Sequence, residues 1–370
     1  VENNMGIRSI YVDDTDLLWI GTAKSGVAYM GQNIYKFESQ KLGDITAIVE
    51  DSAGKVWYGT SDKGIIDFDG KLASNKISAM AYTKDGSLWV GSPQNGITRI
   101  KNGVSQIYSV ANDSTQRMMI DDHINALTSD KAGNLWIATD GGLQVYNPRV
   151  NQFSNYTKKN GKIRVNNITS LFYTSSNNML IGTSEGLIIM NISTTEMRQY
   201  TGNSTNLSKY TNNYVTQVFE DSRGLIWVGT REGVNIWNPN NDHLDYLTEK
   251  NGLCNNNICG IAEDASHNVW LSTSNGVSRV VIQRNHENDT YNYGLYNYTR
   301  NDGLQGDEFN IGSILIRRDG NVVMGGLNGI NWIRPKTIDE TVSLPRVMLT
   351  QLFIGEEEIL VGHSYNGNTT

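Results

Sequence analysis

A five-residue phrase recurs eight times along this 370-residue chain, and it limits the possible folds more tightly than any other feature. It reads Leu18-Trp19-Ile20-Gly21-Thr22, Val56-Trp57-Tyr58-Gly59-Thr60, Leu88-Trp89-Val90-Gly91-Ser92, Leu135-Trp136-Ile137-Ala138-Thr139, Met179-Leu180-Ile181-Gly182-Thr183 and Ile226-Trp227-Val228-Gly229-Thr230. Weaker copies are Val269-Trp270-Leu271-Ser272-Thr273 and Val322-Val323-Met324-Gly325-Gly326. The Trp slots lie 38, 32, 47, 44, 47, 43 and 53 residues apart. A period in the low forties is that of a four-stranded propeller blade.

Each copy has the same anatomy. An apolar run such as Ile45–Val49 or Val215–Phe219 leads into a turn, as in Asp51-Ser52-Ala53-Gly54 or Asp221-Ser222-Arg223-Gly224. Asp bonds nearby backbone and Gly accepts positive φ, so these are tight hairpins. The Trp strand follows, then a Gly, then a third apolar run such as Gly233-Val234-Asn235-Ile236-Trp237. Most copies add a fourth strand with aromatics. The Trp strands are apolar throughout, as expected of sheets packed on both faces.

Composition agrees. Gly (37 residues) and Asn (43) abound while Pro is only 5, which means many tight turns rather than disorder. Charged residues are 19%, too few for the outer faces of a helical bundle. A net charge of −7 argues against nucleic acid as a partner. No apolar stretch is long enough for a membrane helix. Cys254 and Cys259 are read as free thiols. The chain begins with Val1, so we expect a processed or excised piece.

These repeats resemble the two-component regulator propeller of bacterial hybrid two-component sensors. Two longer stretches are similar to that family as well: Tyr246–Leu253 to its interblade phrase, and Asp302–Pro335 to its last blade. Leu344–Leu352 resembles the opening strand of the Ig-like, three-tyrosine domain that follows. The resemblance implies a periplasmic ectodomain, a homodimeric parent with a membrane helix and a cytoplasmic kinase, no cofactor, and an oligosaccharide ligand derived from polysaccharide.

The expected fold is all-β: a β-propeller of four-stranded blades followed by the start of an Ig-like β-sandwich. The last repeat lacks a fourth strand before Pro335, and residues 33–37 are placed to supply it. Seven blades are therefore preferred, with eight as the alternative. Residues 1–32 are then the last repeat of a preceding propeller or an extra blade, 33–338 the propeller, and 344–370 the sandwich fragment.

Candidate binding residues follow from connectivity. Second–third strand loops and interblade loops share one face, which collects Lys24, Lys63, Gln94, Asn95, Asp140, Glu185, Arg231, Glu232, Asn275 and Asn328. They vary between fixed Thr and Gly, as recognition positions on a scaffold do, although solvated loop tips look the same. Arg149, Lys158, Lys159, Lys162 and Arg164 form a basic stretch in an acidic chain. Residues 284–300 carry Tyr291, Tyr293, Tyr296 and Tyr298 and end on Arg300; they suit either sugar stacking or packing on a neighbouring blade. Arg117, Asp121, Asp122 and His123 make a weaker acid/base or metal cluster. The turn aspartates offer too few converging oxygens for calcium.

No G-x-S-x-G, H-E-x-x-H or P-loop is present. A ligand-sensing module of a hybrid sensor kinase is the leading reading. A propeller glycosidase or polysaccharide lyase and a protein–protein interaction propeller are the alternatives.

Overall fold

The computed structural model describes residues 6–13, 17–24, 26–31, 37–68, 70–110, 119–201, 211–285, 290–334 and 338, and four short strands between 353 and 369. The chain divides into two compact units, one of Asn33–Ile338 and one of Val1–Gln32 with Asp339–Thr370.

Within Asn33–Ile338, seven sheets stand in a ring. Their first strands are Ile45–Glu50, Ala79–Tyr82, Ile124–Ser129, Ile168–Tyr173, Val215–Glu220, Ile258–Glu263 and Phe309–Ile316, which define blades 1 to 7. Each first strand packs on that of the next blade, and that of blade 7 packs on that of blade 1. The unit is thus a closed seven-bladed propeller. Blades 2 to 6 are antiparallel four-stranded sheets in chain order.

Blade 7 is completed from the other end of the unit. Gly329–Ile333 pairs with Glu38–Gln40, with Trp332 opposite Glu38 and Ile330 opposite Gln40. The closing strand lies just beyond the expected 33–37, of which 33–36 are outside the described residues. Phe37 is buried instead as a plug, its ring 4.9 Å from Tyr298 and 6.1 Å from Trp270.

Blade 1 departs from the repeat. Among the described residues it has only Ile45–Glu50 and Val56–Thr60, plus one bridge from Gly59 to Ile65. The short 32-residue spacing from Trp57 to Trp89 explains this: it leaves too little chain for two more strands and their turns.

The repeated residues now have physical roles. The turn aspartate accepts a hydrogen bond from the indole six residues on: Asp51 from Trp57 at 2.9 Å, Asp130 from Trp136 at 2.9 Å, Asp221 from Trp227 at 3.1 Å and Asp264 from Trp270 at 2.7 Å. Each indole packs on the next blade, so one residue ties a turn to an interblade core. The glycine after the Trp strand marks a close approach. A Cβ on Gly229 would lie 2.7 Å from Ile258 Cγ2 in the next blade, and one on Gly91 2.5 Å from Ile124 Cγ2. Glutamates ending first strands bind the preceding turn: Glu220 accepts the Ser175 N–H, and Glu263 that of Ser222, both at 2.7 Å. Glu50 takes the Arg318 N–H at 3.0 Å across the ring closure.

The second unit contains a three-stranded sheet of Ile7–Val12, Leu17–Thr22 and Val27–Gly31, with Trp19 bonded to Asp13 at 2.7 Å as in the blades. It also contains two small hairpins, Phe353–Ile354 with Glu357–Glu358 and Ser364–Tyr365 with Asn368–Thr369. Leu344–Leu352, on which the Ig-like expectation rests, lies outside the described residues. Cys254 and Cys259 are free thiols, with Cys259 buried and its pKa pushed up to about 11 by that burial.

Candidate functional site

One face of the propeller carries all the second–third strand hairpins, built on a shared clamp. The Thr that ends the second strand donates its hydroxyl to the carbonyl of the following Gly. The distances are 2.9 Å for Thr60–Gly64, 2.7 Å for Thr139–Gly142 and Thr183–Gly186, and 2.8 Å for Thr230–Gly233 and Thr273–Gly276. The same oxygen accepts a loop N–H, from Lys63 at 2.8 Å, Glu185 at 3.0 Å, and Glu232 and Asn275 at 3.1 Å. Gly233 completes its hairpin at φ 121°, where a Cβ would lie 2.5 Å from the Leu247 carbonyl. Blade 7 has Gly326 in place of the Thr, and Gln305 Oε1 takes over by accepting the Asn328 N–H at 2.8 Å.

Lys63, Gln94, Asp140, Glu185, Arg231, Asn275 and Asn328 therefore ride on fixed backbone around one rim, all exposed. Lys24 sits on the equivalent turn of the three-stranded sheet, in the other unit. Two rim groups are held further. Asp140 Oδ1 accepts from Asn125 and Asn167, both at 2.9 Å. The Arg231 guanidinium lies 4.0 Å above the Tyr214 ring. Arg164 and Arg300 are exposed on interblade connections of this same face. Arg300 opens a short 3-10 turn whose N–H is held by Asp307 at 2.7 Å.

Inside the rim, the first strands surround a central cavity of about 410 Å³. Its mouth has a feature the sequence did not disclose. In five blades the first strand carries one extra residue, as where Ile45 opposes Thr60 but Ala47 opposes Gly59. These bulges turn polar side chains toward the next blade. Thr46 donates to the Ile77 carbonyl at 2.6 Å, Asn125 to Ile168 at 2.8 Å and Thr169 to Val215 at 2.7 Å. Asn310 donates to Ile45 at 2.8 Å and so joins blade 7 to blade 1. Blade 7 has a wider bulge. Phe309 opposes Gly326 and Ile314 opposes Met324, five steps against two. The excess leaves Ile311 47% exposed beside the cavity and brings Gly312 across to blade 5, near Gln217.

Other expected residues separate. Tyr291 and Tyr293 share one face of the strand Thr290–Tyr298, packed against the core between blades 5 and 6. The Tyr293 hydroxyl donates to Asp245 at 2.9 Å. Burial, with the Asp245 carboxylate beside it, pushes that phenol far above its ordinary range. The packing alternative thus describes this pair, and they are not rim residues. The basic stretch also divides. Arg149 sits in the third–fourth hairpin on the opposite face, whereas Lys158, Lys159, Lys162 and Arg164 lie beyond the strand Gln152–Tyr156. Arg117 is outside the described residues. Asp121 and Asp122 cap backbone N–H groups of His123 and Val110, both at 2.8 Å. Among the described residues no cluster of three metal-ligating side chains occurs.

Four segments, 71–94, 118–141, 209–232 and 252–275, match the two-component regulator propeller family. Each runs from an interblade loop through two strands to the clamped hairpin, in blades 2, 3, 5 and 6, all with Trp in the slot. These four segments are two-component regulator propeller repeats. A curated relative, histidine kinase P4 of Formosa agariphila, is 25% identical over 79% of this chain and 24% of its own length. The extracellular domain of a hybrid two-component system from B. thetaiotaomicron has the same fold, with TM-score 0.74 at 22% identity, over 96% of this chain and 50% of that one. Virginiamycin B lyase from Staphylococcus aureus shares the propeller fold at TM-score 0.51 and 12% identity, over 90% of this chain and 95% of that one. The chain thus spans about a quarter of the curated relative and half of the two-component structure.

Proposed function

We propose that this regulator propeller is the ligand-reading part of an extracytoplasmic sensor in a hybrid two-component system. It recognises an oligosaccharide released from a polysaccharide, in the periplasm. The parent chain is a homodimer whose membrane helix carries the signal to a cytoplasmic kinase, and this segment itself performs no catalysis. The observation behind the reading is the rim: a Thr-clamped backbone repeated in five blades around one face, bearing exposed polar side chains that vary around the ring. A rigid scaffold with interchangeable tips is suited to recognition. Binding signals only through contacts that differ between two states of the parent.

The test is a thermal-shift and calorimetric screen of oligosaccharides on the parent ectodomain. A shift with one glycan, without turnover and lost in Arg231→Ala, supports the reading. Release of new reducing ends, or no shift across a broad neutral and acidic panel, overturns it.

A further inference from the structure

The Trp slot is occupied by Leu180 in blade 4, and the turn position that holds Asp in blades 1, 3, 5 and 6 is Thr174. Elsewhere the indole fills the space between its blade and the next: Trp136 packs on Met179 and Ile188, and Trp227 on Val269 and Leu271. Blade 7 also lacks the Trp, but Trp332 stands opposite Val323 with the Arg317 guanidinium 5.2 Å from its ring. Among the described residues blade 4 itself has no such substitute: Leu180 faces Phe172 and Ile189 in its own sheet and shares a core with Trp237 of blade 5. A cleft of about 320 Å³ opens there, between blades 4 and 5, at the end of the blades away from the rim.

Its walls are of two kinds. Leu180, Ile226 and Trp237 form an apolar floor, with the Tyr200 ring 5.0 Å from that of Trp237. Glu196, Arg198 and Glu220 stand at its edge. Glu196 and Arg198 are exposed, and their charged groups have no partner among the described residues. The volume is at the lower end of ligand pockets, roughly 300–1,000 Å³. A pyranose presents the matching chemistry: an apolar C–H face for aromatic carbon, and hydroxyls that donate to carboxylates and accept from a guanidinium. Two carboxylates against one guanidinium disfavour an anionic sugar.

We infer that this cleft is a binding site for one neutral pyranose unit, distinct from the rim. The inference rests on the oligosaccharide-sensing proposal and adds a site and a sugar class to it. The test is titration calorimetry of the 370-residue chain with maltose, cellobiose, laminaribiose and mannobiose as probes. Leu180→Trp with Thr174→Asp restores the repeat's indole–carboxylate pair and fills the cleft. It is expected to keep or raise the urea midpoint and to abolish binding. Arg198→Ala, at an exposed position, is expected to weaken binding roughly tenfold by removing a charged hydrogen bond. Binding unchanged in the filled variant overturns the inference. If it is lost instead in Arg231→Ala, the sugar sits on the rim and the sensing proposal stands. If the wild type binds none of the probes, the cleft assignment falls, whereas the sensing proposal is then decided by its own broader panel.

Discussion

Consider a single methyl added at the boundary between blades 5 and 6. In Gly229→Ala the new Cβ lies 2.7 Å from Ile258 Cγ2, 3.0 Å from its Cβ and 3.3 Å from Ile261 Cδ1. Overpacking of this kind costs about 1–3 kcal/mol. The glycine has an ordinary strand φ, so alanine recovers about 0.4–1 kcal/mol by restricting the unfolded chain. Blade 3 carries Ala138 in the same slot, fully buried in one core with Ile168, so the blade boundary can yield to a methyl. The expected net loss is therefore about 1 kcal/mol, from the lower part of those ranges. Ile258→Leu moves the branch from Cβ to Cγ at constant volume and removes the offending methyl. Alone it costs less than about 1.5 kcal/mol, and in the double variant it should recover most of the glycine penalty. Urea unfolding followed by tryptophan fluorescence, extrapolated linearly for all four proteins, reads the coupling. A neutral or stabilising Gly229→Ala, or strictly additive variants, would refute the claim that this glycine exists for blade contact.

Further outcomes follow from the same structure. Asp264→Ala leaves the buried Trp270 indole N–H and the Ser266 and Asn268 N–H groups without their acceptor, and should cost about 3 kcal/mol in the same assay. Truncation of residues 1–41 removes Phe37 and the closing strand and should lower the melting temperature of the propeller sharply. Burial opposes ionisation of Asp85, but hydrogen bonds from Thr83, Lys101, Ser87 and Arg99 outweigh it and hold the carboxyl well below its ordinary value. Its contribution is therefore present above the unfolded pKa of about 4 and lost as pH falls through the lower folded one. The difference in urea midpoint between wild type and Asp85→Asn should accordingly shrink as pH is lowered below about 4.

The ring was legible because its determinants are periodic. Trp, Gly and Thr recur at fixed distances, and each does one physical task per blade. Closure was legible too, since the last repeat lacked a strand and the chain before Ile45 had one to spare. The closing strand lies slightly later than expected because Phe37 goes into the core as a plug. What escaped depends on register and strand length. The bulges at Thr46, Asn125 and Thr169 appear only when two strands are paired. Arg149 and Lys158 are close in sequence, yet a five-residue strand carries them to opposite faces. Tyr293 looked like a stacking residue because nothing local announces Asp245 on the neighbouring blade. The departure at Leu180 was visible in the repeat, but its consequence needed the facing wall of blade 5.

The clasp in blade 7 also has a mechanical side. Trp332 pairs with Glu38 and the Arg334 guanidinium bonds the Glu38 carboxylate at 2.8 Å, so the chain enters and leaves the ring at one corner. Tension between whatever is joined before residue 37 and after residue 334 runs through that corner and bypasses the other blades. Antiparallel strands pulled from the same end unzip, loading one hydrogen bond at a time rather than all together. A pull of that geometry therefore opens the ring at blade 7 first.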